Sequence, residues 1–509
     1  MPKAIQLRKF HTPYPNPYDY GSWRTCTGVE KASELNTIIA DSQRDRKQYS
    51  NRLTYCSQTD QAWVVCLHKA GVLDAQTTAS LLRGLQQLLD SGEHGRGGEN
   101  SLIPVLDNNE DLASLINLGR TMQEPMSRLQ LRDMLVDFFD YFHDFMETVA
   151  DFAEKHAEAI MPGHTHFSQA NPITLANYAL SIFDNMARGL EQLELSYKLI
   201  NKNSGGCGAT SGTAWPVDRE LMTQYLGMDE LLEVTYDCEA SQDHTMHLMF
   251  SIANIAATLS KLTMDIEIWS LEEIGMLHID PKFAGVSSMM PQKCHNGEIT
   301  EGLRNVLCDL MGIPVTGLFR TKAEPHADVL AMYSFPEKGM ESLAKGKQAI
   351  RHADVMLRNL HVHPDTMLRL VREGYSCMTE VVVHLVRELG YGGRRSHRIC
   401  ATLVRLARQR GIKAQDLTAD MLDEAARACG EEPPGLTTDT LQQCLDPVAF
   451  IHSHGNIGGP APAETTRLVA KRRLALVEAR SRQQNRRQRI ARGRKSLQRE
   501  IDLICAVPA

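Results

Sequence analysis

Gly285-Val-Ser-Ser-Met-Met-Pro-Gln-Lys-Cys-His-Asn-Gly-Glu-Ile-Thr-Glu-Gly-Leu-Arg304 is the stretch of this sequence that most narrows the fold and the function. Two adjacent hydroxyls, Ser287 and Ser288, follow a glycine, and Lys293 precedes a segment of helical spacing that carries Glu301. The pattern predicts a mobile loop that delivers both hydroxyls to a site. The N-terminal amides of the following helix, together with Lys293, favour developing negative charge. Such a loop suits proton abstraction next to a carboxylate.

The segment Ser-Ser-Met-Met-Pro-Gln-Lys, residues 287–293, resembles the Ser-Ser-x-Met-Pro-x-Lys signature of the fumarase/aspartase superfamily. The Gln after the proline favours the argininosuccinate lyase branch of that superfamily. The family usually has Gly-Ser-Ser and then Lys-x-Asn-Pro, whereas Val286 precedes the serines here and Lys-Cys-His-Asn-Gly follows the Pro-Gln pair. We interpret the difference as a one-residue insertion, because Asn296 then keeps the family's spacing to Glu301.

The resemblance implies an all-α, three-domain subunit with a central long-helix bundle that is shared among four subunits. Long helical segments in the sequence agree with this architecture. Apolar residues recur at helical spacing, and this periodicity predicts rods that are longer than most globular helices. The predicted long helices cover residues 124–160, 172–201, 241–275, 298–310 and 336–360. The predicted regions are an N-terminal helical domain (1–118), a central helical bundle with the signature loop 285–297 (119–364), a C-terminal helical domain (365–462) and a basic extension (463–509).

A second block, Met161-Pro-Gly-His-Thr-His-Phe-Ser-Gln-Ala-Asn-Pro172, resembles the Pro-Gly-Tyr/His-Thr-His segment of the lyases. Its glycine predicts a turn that enters a helix, whose first residues present the Thr165 hydroxyl and the His166 imidazole. Histidine is suited to proton transfer near neutral pH. The resemblance implies that Thr165 contacts the substrate carboxylate or the leaving group. It also implies that His166 pairs with Glu301 to tune or relay a proton.

A third block, residues 117–124, aligns with the family's His-x-Gly/Ala-Arg-Ser-Arg-Asn-Asp segment. Arg120 is retained, and Thr121 and Gln123 keep hydrogen-bonding groups in place of Ser and Asn. Met122, however, replaces an arginine that is suited to clamp a carboxylate through two hydrogen bonds. Either the second substrate carboxylate is absent or differently held, or the protein has lost activity.

A fourth block, residues 205–220, resembles the glycine-rich Gly-Ser/Ala-Gly-Ala-x-Ala-Gly-Thr segment of the same branch. It has neither Gly-Lys-Ser/Thr nor Gly-x-Gly-x-x-Gly, so nucleotide binding has weak support. Residues 318–326 replace the branch's Tyr-Asn-x-Asp-x-Gln-Glu-Asp-Lys segment, and only Glu324 clearly persists. We therefore do not expect argininosuccinate itself to be the substrate.

Global composition is that of a soluble cytoplasmic enzyme. The net charge is -7, and the 12 cysteines contain no Cys-x-x-Cys pair, which favours reduced thiols over a disulfide frame or a metal site. Neither a signal peptide nor a membrane-spanning run is evident. The basic extension lacks interleaved aromatic residues. We therefore interpret its arginines as solvated faces or subunit contacts rather than as a nucleic-acid site.

The resemblance implies a reversible β-elimination of an amine from an N-substituted aspartate to give fumarate or a related unsaturated acid, with no metal or organic cofactor. Ser288 acts as the general base, and the resulting carbanion is held as an enolate in the field of Lys293 and the helix N-terminus. The predicted catalytic residues are Ser288, His166, Lys293 and Glu301, and the predicted substrate-binding residues are Ser287, Thr165, Asn296, Thr121, Gln123 and Arg120. The alternative is a catalytically inactive structural or regulatory homologue on the same tetrameric scaffold.

Overall fold

The computed structural model describes residues 33–49, 51–93, 95, 97–121, 125–293, 296–322 and 324–506. Within these ranges the chain is mostly helical, with three short two-stranded sheets. This agrees with the predicted all-α class. No helix of the described part is long and apolar enough to cross a membrane.

The N-terminal region is a small helical assembly whose boundaries follow local signals. Gly71, at φ 72°, lies just beyond the end of one helix, and the Asp74 side chain caps the next by accepting a hydrogen bond from the Thr77 amide. Trp63 and Leu81 are fully buried in its core. The helices are α1 (Glu34–Tyr49), α2 (Arg52–Lys69), α3 (Ala75–Asp90), α4 (Glu99–Leu102) and α5 (Glu110–Ser114), with 3-10 turns at Ile103–Leu106 and Leu115–Asn117.

The central bundle consists of five long helices that pack side by side. They are α6 (Met126–Lys155), α7 (Leu175–Ile200), α10 (Asp243–Trp269), α11 (Glu298–Thr321) and α12 (Leu330–Arg358). Phe138, Phe142 and Phe145 recur at helical spacing on α6 and are fully buried. The bounds of α6, α7 and α10 confirm the predicted rods to within a few residues. Predictions for α11 and α12 were too short, because α11 continues through Pro314 and α12 begins before Pro336.

Short elements connect these rods at their ends. Strands β1 (Ile160–Thr165) and β2 (Ser168–Thr174) form an antiparallel hairpin, β3 (Lys202–Asn203) pairs in parallel with β4 (Glu230–Leu231), and β5 (Leu277–Ile279) is antiparallel to β6 (Leu360–Val362). Helices α8 (Arg219–Tyr225) and α9 (Thr235–Ala240) lie between α7 and α10, and a 3-10 turn spans Pro281–Phe283.

The C-terminal region has a separate apolar core that includes Val381, Leu403 and Leu422, all fully buried. Its helices are α13 (Pro364–Glu373), α14 (Met378–Arg387), α15 (Gly393–Gln409), α16 (Ala419–Ala428), α17 (Thr438–Cys444) and α18 (Pro447–Ser453), with a 3-10 turn at Ala414–Asp416. Ile160 of the β1–β2 hairpin joins this core and connects it to the bundle.

The basic extension forms one 44-residue helix, α19 (Pro462–Cys505), that returns along α6 to the N-terminal region. Its arginines face acidic side chains of the chain itself rather than solvent alone. The ion pairs are Arg472–Asp184, Arg473–Asp151, Arg480–Asp144, Arg487–Asp140 and Arg494–Asp133. Leu497 and Ile501 complete the N-terminal core. The division of the chain at residues 118, 364 and 462 stays a prediction.

Alternating directions of the rods place the connecting segments at two ends of the bundle. At one end, called the Gly205 end, α6 begins and α7 ends, and the Arg128 guanidinium donates to the Leu199 carbonyl at 2.9 Å. At the other, called the Gly285 end, α7 begins and α10 ends, and Tyr178 packs edge-on against Trp269 with ring centroids 4.8 Å apart. The 30 residues of α6 set a separation of about 45 Å between the two ends.

Candidate active site

The signature loop is closed by its own backbone at the Gly285 end. Gly285 and Asn296 exchange two backbone hydrogen bonds of 2.8 and 3.0 Å, and the Ser287 amide donates to the Lys293 carbonyl at 3.1 Å. The Lys293 amide in turn donates to the Met290 carbonyl. These bonds fold residues 285–293 into a compact reversal whose start pairs with Asn296, directly before α11.

The two serines of the loop have different positions. The Ser287 hydroxyl oxygen accepts hydrogen bonds from the Met289 and Met290 amides at 3.3 and 3.0 Å, which is a serine-capped turn. The Ser287 oxygen thus stabilises the loop and its proton is left for a ligand, and the predicted contact of Ser287 with substrate stays a prediction. The Ser288 side chain is exposed, as is Lys293. The turn thus presents the second serine of the pair outward.

The start of α11 carries the other predicted residues of this end. Glu301 lies in the first turn and is exposed, and its amide donates to the Gly297 carbonyl at 2.9 Å. Asn296 is half-buried, and its side-chain oxygen has no hydrogen-bond partner among the described residues. Glu298 and Glu301 both occupy the helix N-terminus, so the positive end of the helix dipole acts on these carboxylates as well as on any ligand.

The segment with Thr165 and His166 does not enter a helix, and that prediction was wrong. Thr165 ends β1 and pairs with Ser168, while His166 and Phe167, at φ 51° and 58°, form a two-residue hairpin turn. Two successive left-handed residues suit the right-handed twist of a hairpin. Thr165 and His166 are both exposed at its tip, and Phe167 is 94% exposed.

The base of this hairpin is fixed against the C-terminal region. The Gln169 side chain donates to the Leu370 carbonyl at 3.0 Å, and the Thr379 hydroxyl donates to the Asn171 side-chain oxygen at 3.4 Å. Asn177, in the first turn of α7, donates to the Gly458 carbonyl. These contacts hold the tip with Thr165 and His166 in a defined direction away from the bundle.

Arg120 has a structural role in place of the predicted contact with substrate. Its guanidinium forms an ion pair with Asp60, and both side chains are 0% exposed. Burial raises the pKa of Asp60 although the neighbouring Arg120 and Cys56 oppose that shift. The Trp63 indole donates to the Leu118 carbonyl at 2.9 Å and fixes the same segment. The arginine therefore anchors residues 118–121 to α2.

Thr121 lies at the Gly205 end, where the third and fourth sequence blocks meet. Gly119 has φ 76°, and a Cβ atom there would clash with Thr213 of the glycine-rich loop. A Cβ atom on Gly208 would lie 3.5 Å from the Gly119 carbonyl. Thr121 is half-buried beside this contact, whereas Gln123 and Met122 lie outside the described residues.

One subunit therefore does not bring all the predicted site residues together. Ser288, Lys293, Asn296 and Glu301 lie at the Gly285 end, and Thr121 lies at the Gly205 end. The length of α6 separates the two groups by about 45 Å. The four predicted catalytic residues are all exposed to solvent in the lone subunit.

Sequence reasoning missed a histidine cluster beside the signature loop. His278 Nδ1 and His363 Nε2 lie 2.7 Å apart and share a proton, and the His361 ring stacks on His278 with centroids 4.7 Å apart. His361 Nε2 lies 3.1 Å from an Asp280 carboxylate oxygen. His361 lies in β6 and His363 follows the end of that strand, and this spacing of two residues, which places side chains on one face, was the available signal. No group of three or more metal-ligating side chains in the described ranges has the arrangement of a metal site.

Comparison with known proteins identifies the relatives of this chain. The lyase family matches residues 99–312, and the argininosuccinate lyase C-terminal family matches residues 375–452. Argininosuccinate lyase of Methanocaldococcus jannaschii is 27% identical over 427 residues, which is 81% of this chain and 86% of the relative. Argininosuccinate lyase of Methanococcus vannielii is 29% identical over 374 residues, covering 73% and 76%.

Solved structures agree with these sequence matches. EDDS lyase in complex with formate superposes with a TM-score of 0.87 at 28% identity and covers 96% of this chain and 98% of its own. A variant of EDDS lyase with bound fumarate matches equally well. A fumarate lyase from Mesorhizobium, at 19% identity and a TM-score of 0.66, shares the fold. The chain is a carbon–nitrogen lyase that belongs to the argininosuccinate lyase-like branch of the fumarase/aspartase superfamily.

Proposed function

We propose that this lyase catalyses reversible β-elimination of an amine from an N-substituted aspartate to give fumarate. The observation that carries the proposal is the signature loop, in which Ser287 caps a turn and Ser288 stands exposed beside Lys293. The likeness to EDDS lyase, one structure of which contains fumarate, supports the same acid product.

In the proposed reaction Ser288 removes the proton from the carbon next to the substrate carboxylate. A serine hydroxyl is a weak base, so its alkoxide needs a stabilising field, and Lys293 in the same backbone-closed loop supplies a positive charge. The enolate that forms is held by Lys293 and by the Asn296 amide. The C–N bond then breaks, and His166, or a water that it orients, gives the departing amine a proton.

We propose that the working protein is a homotetramer whose active sites combine residues of different subunits. Exposed large apolar side chains along α10 and α11 support this assembly, because patches of this kind on a soluble protein mark interaction surfaces. They are Phe250, Met264, Met311, Val315, Leu318 and Phe319. Packing of these faces against other copies would bring a Gly205 end from one subunit to a Gly285 end from another.

The amine half of the substrate is recognised at the Gly205 end in this proposal. Residues 318–321 form the last turn of α11, and the chain then continues to His326, whose carbonyl accepts a hydrogen bond of 2.8 Å from the Tyr236 hydroxyl. This bond fixes the end of the segment beside α9. Its sequence differs from that of argininosuccinate lyases, and Met122 replaces their arginine. We therefore propose an amine other than arginine as the leaving group, and a cytoplasmic small-molecule pathway as the setting.

The proposal is tested by absorbance of the conjugated acid when the purified protein meets a panel of N-substituted aspartates. We expect fumarate from at least one compound, and loss of that signal in Ser288→Ala. Ser481→Ala is the matched control, because Ser481 is an exposed serine in the middle of α19 and lies outside the loop. Silence across the panel in both elimination and fumarate-plus-amine directions would contradict the proposal and favour the inactive scaffold.

A further inference from the structure

Two buried cysteines lie against each other at the Gly205 end and have no part in the proposed elimination. Cys207 belongs to the glycine-rich loop and is 0% exposed, while Cys238 lies on α9 and is 7% exposed. Both are thiols in the structure, and the Cys207 side chain hydrogen-bonds to Cys238. Cys207 Sγ lies 3.4 Å from a carboxylate oxygen of Glu239, the residue that follows Cys238, so the two thiols come from separate segments and lie side by side.

A cation and a carboxylate flank this thiol pair. Arg219 Nη2 donates to Cys238 Sγ at 3.3 Å, and Cys207 Sγ lies 3.4 Å from a Glu239 carboxylate oxygen. The hydrogen bond from Cys207 lowers the pKa of Cys238, and Arg219 and Arg128 lower it further against the effect of burial. A thiolate stabilised in this way is the reactive form of cysteine.

Two other buried or half-buried thiols in the same protein lack this environment. Burial raises the pKa of Cys400 to about 12. Burial raises the pKa of Cys444 as well. Both shifts disfavour the reactive thiolate, so Cys400 and Cys444 serve as internal controls for reaction with a peroxide.

We propose that Cys207 and Cys238 are a redox modification site that forms a reversible disulfide with a peroxide as oxidant. The Cys238 thiolate attacks one peroxide oxygen, the O–O bond breaks, and a sulfenic acid and hydroxide result. Cys207 Sγ then attacks Cys238 Sγ, so that the S–S bond forms and the S–O bond breaks. The Cys207 proton passes by way of the Glu239 carboxylate to the leaving hydroxide. Two thiols lose two electrons, and one peroxide becomes two waters.

The disulfide would act on the loops around Thr121. The Thr235 hydroxyl donates to the Thr210 carbonyl at 2.7 Å, which joins α9 to the glycine-rich loop, and that loop packs on Gly119. An S–S bond of about 2.05 Å is shorter than any contact between two unbonded thiols, so the two side chains must draw closer when the disulfide forms. Arg219 would also lose its thiolate partner. We expect oxidation to lower turnover and a dithiol reductant to restore it.

The test measures the covalent bond in the full-length protein, so its outcome does not depend on which substrate the lyase takes. The protein is treated with hydrogen peroxide near neutral pH, blocked with a thiol reagent, digested and analysed by mass spectrometry. We expect a peptide that links Cys207 to Cys238, its loss after dithiothreitol, and formation at least about tenfold faster than the oxidation of Cys400 or Cys444. A Cys207–Cys238 link that forms no faster than Cys400 or Cys444 is oxidised would overturn the proposal.

A single-cysteine variant separates the two chemical steps. In Cys207→Ser the sulfenic acid at Cys238 has no partner, so we expect dimedone to label Cys238, while the wild-type protein shows the disulfide instead. Far-ultraviolet circular dichroism confirms that the variant is folded, and Cys207→Ala provides a second replacement if the serine is not tolerated. Absence of dimedone labelling in both folded variants would overturn the assignment of Cys238 as the attacking thiolate.

Discussion

Replacement of Asp60 by asparagine tests whether Arg120 holds the fold or the substrate. The two side chains form an ion pair and are 0% exposed. Arg120 Nε and Nη1 have no hydrogen-bond partner among the described residues, so little else there compensates the guanidinium charge. Asp60→Asn leaves that charge buried without its counterion.

The expected cost follows from this burial. Loss of one partner of a buried ion pair destabilises a protein by about 3–5 kcal/mol. Replacement of both partners by apolar residues of similar size removes the desolvation cost as well, and burial already raises the pKa of Asp60. The free energy of unfolding of the double variant Asp60→Leu/Arg120→Met is therefore expected to lie within about 1–2 kcal/mol of the wild-type value.

Urea unfolding followed by circular dichroism measures both variants. The single variant should unfold at a much lower urea concentration, and the double variant should regain most of the loss. The reasoning is refuted if Asp60→Asn leaves the midpoint unchanged while KM rises strongly, because Arg120 would then serve the substrate.

Three further changes test other parts of the structure. Burial lowers the pKa of His352 to about 4. As the pH falls below about 6.5, His352 therefore gains a proton in the unfolded protein but not in the folded protein, and the free energy of unfolding falls from pH 7 to pH 5. His352→Leu should reduce that fall by about 2 kcal/mol in urea titrations. Phe167→Gly should raise the free energy of unfolding in urea by about 0.5–1 kcal/mol, since Phe167 is exposed at positive φ. A lower free energy of unfolding would place Phe167 in a subunit contact. Gly493→Ala should lower the free energy of unfolding by about 1–3 kcal/mol, because a Cβ atom there would lie 2.6 Å from the Gly227 amide nitrogen. An unchanged midpoint in thermal or urea unfolding would contradict this close approach of α19 to Gly227.

The sequence supported the fold because its strongest signals are local and periodic. A glycine-free run with apolar residues at helical spacing predicted a rod over residues 124–160, and the structure has Met126–Lys155. The signature loop predicted the family through seven consecutive residues. The side-chain environment of Ser287 was harder to predict from the sequence, because a serine that caps a turn and an exposed serine that binds a ligand have the same sequence pattern.

The failures involve contacts between distant parts of the chain or unusual backbone angles. Arg120 meets Asp60 across many residues, which no spacing rule reveals. The hairpin turn at His166 and Phe167 has two left-handed residues and no glycine, so the turn was taken for the start of a helix. The arginines of α19 were interpreted as solvated or intersubunit, but acidic residues of α6, such as Asp140 and Asp151, pair with them within one chain.

Mixing of two defective subunits tests most directly whether lyase sites combine the two ends of different bundles. One parent is Ser288→Ala, altered at the Gly285 end, and the other is Thr121→Ala/Gln123→Ala, of which Thr121 lies at the opposite end. Each is expected to be inactive alone on a substrate found in the panel. After joint unfolding and refolding at equal amounts, random tetramers should contain intact sites at about one quarter of positions. Recovery of about that fraction of wild-type activity would support the account. Mixed tetramers, verified by mass, with no more activity than the parents would contradict it.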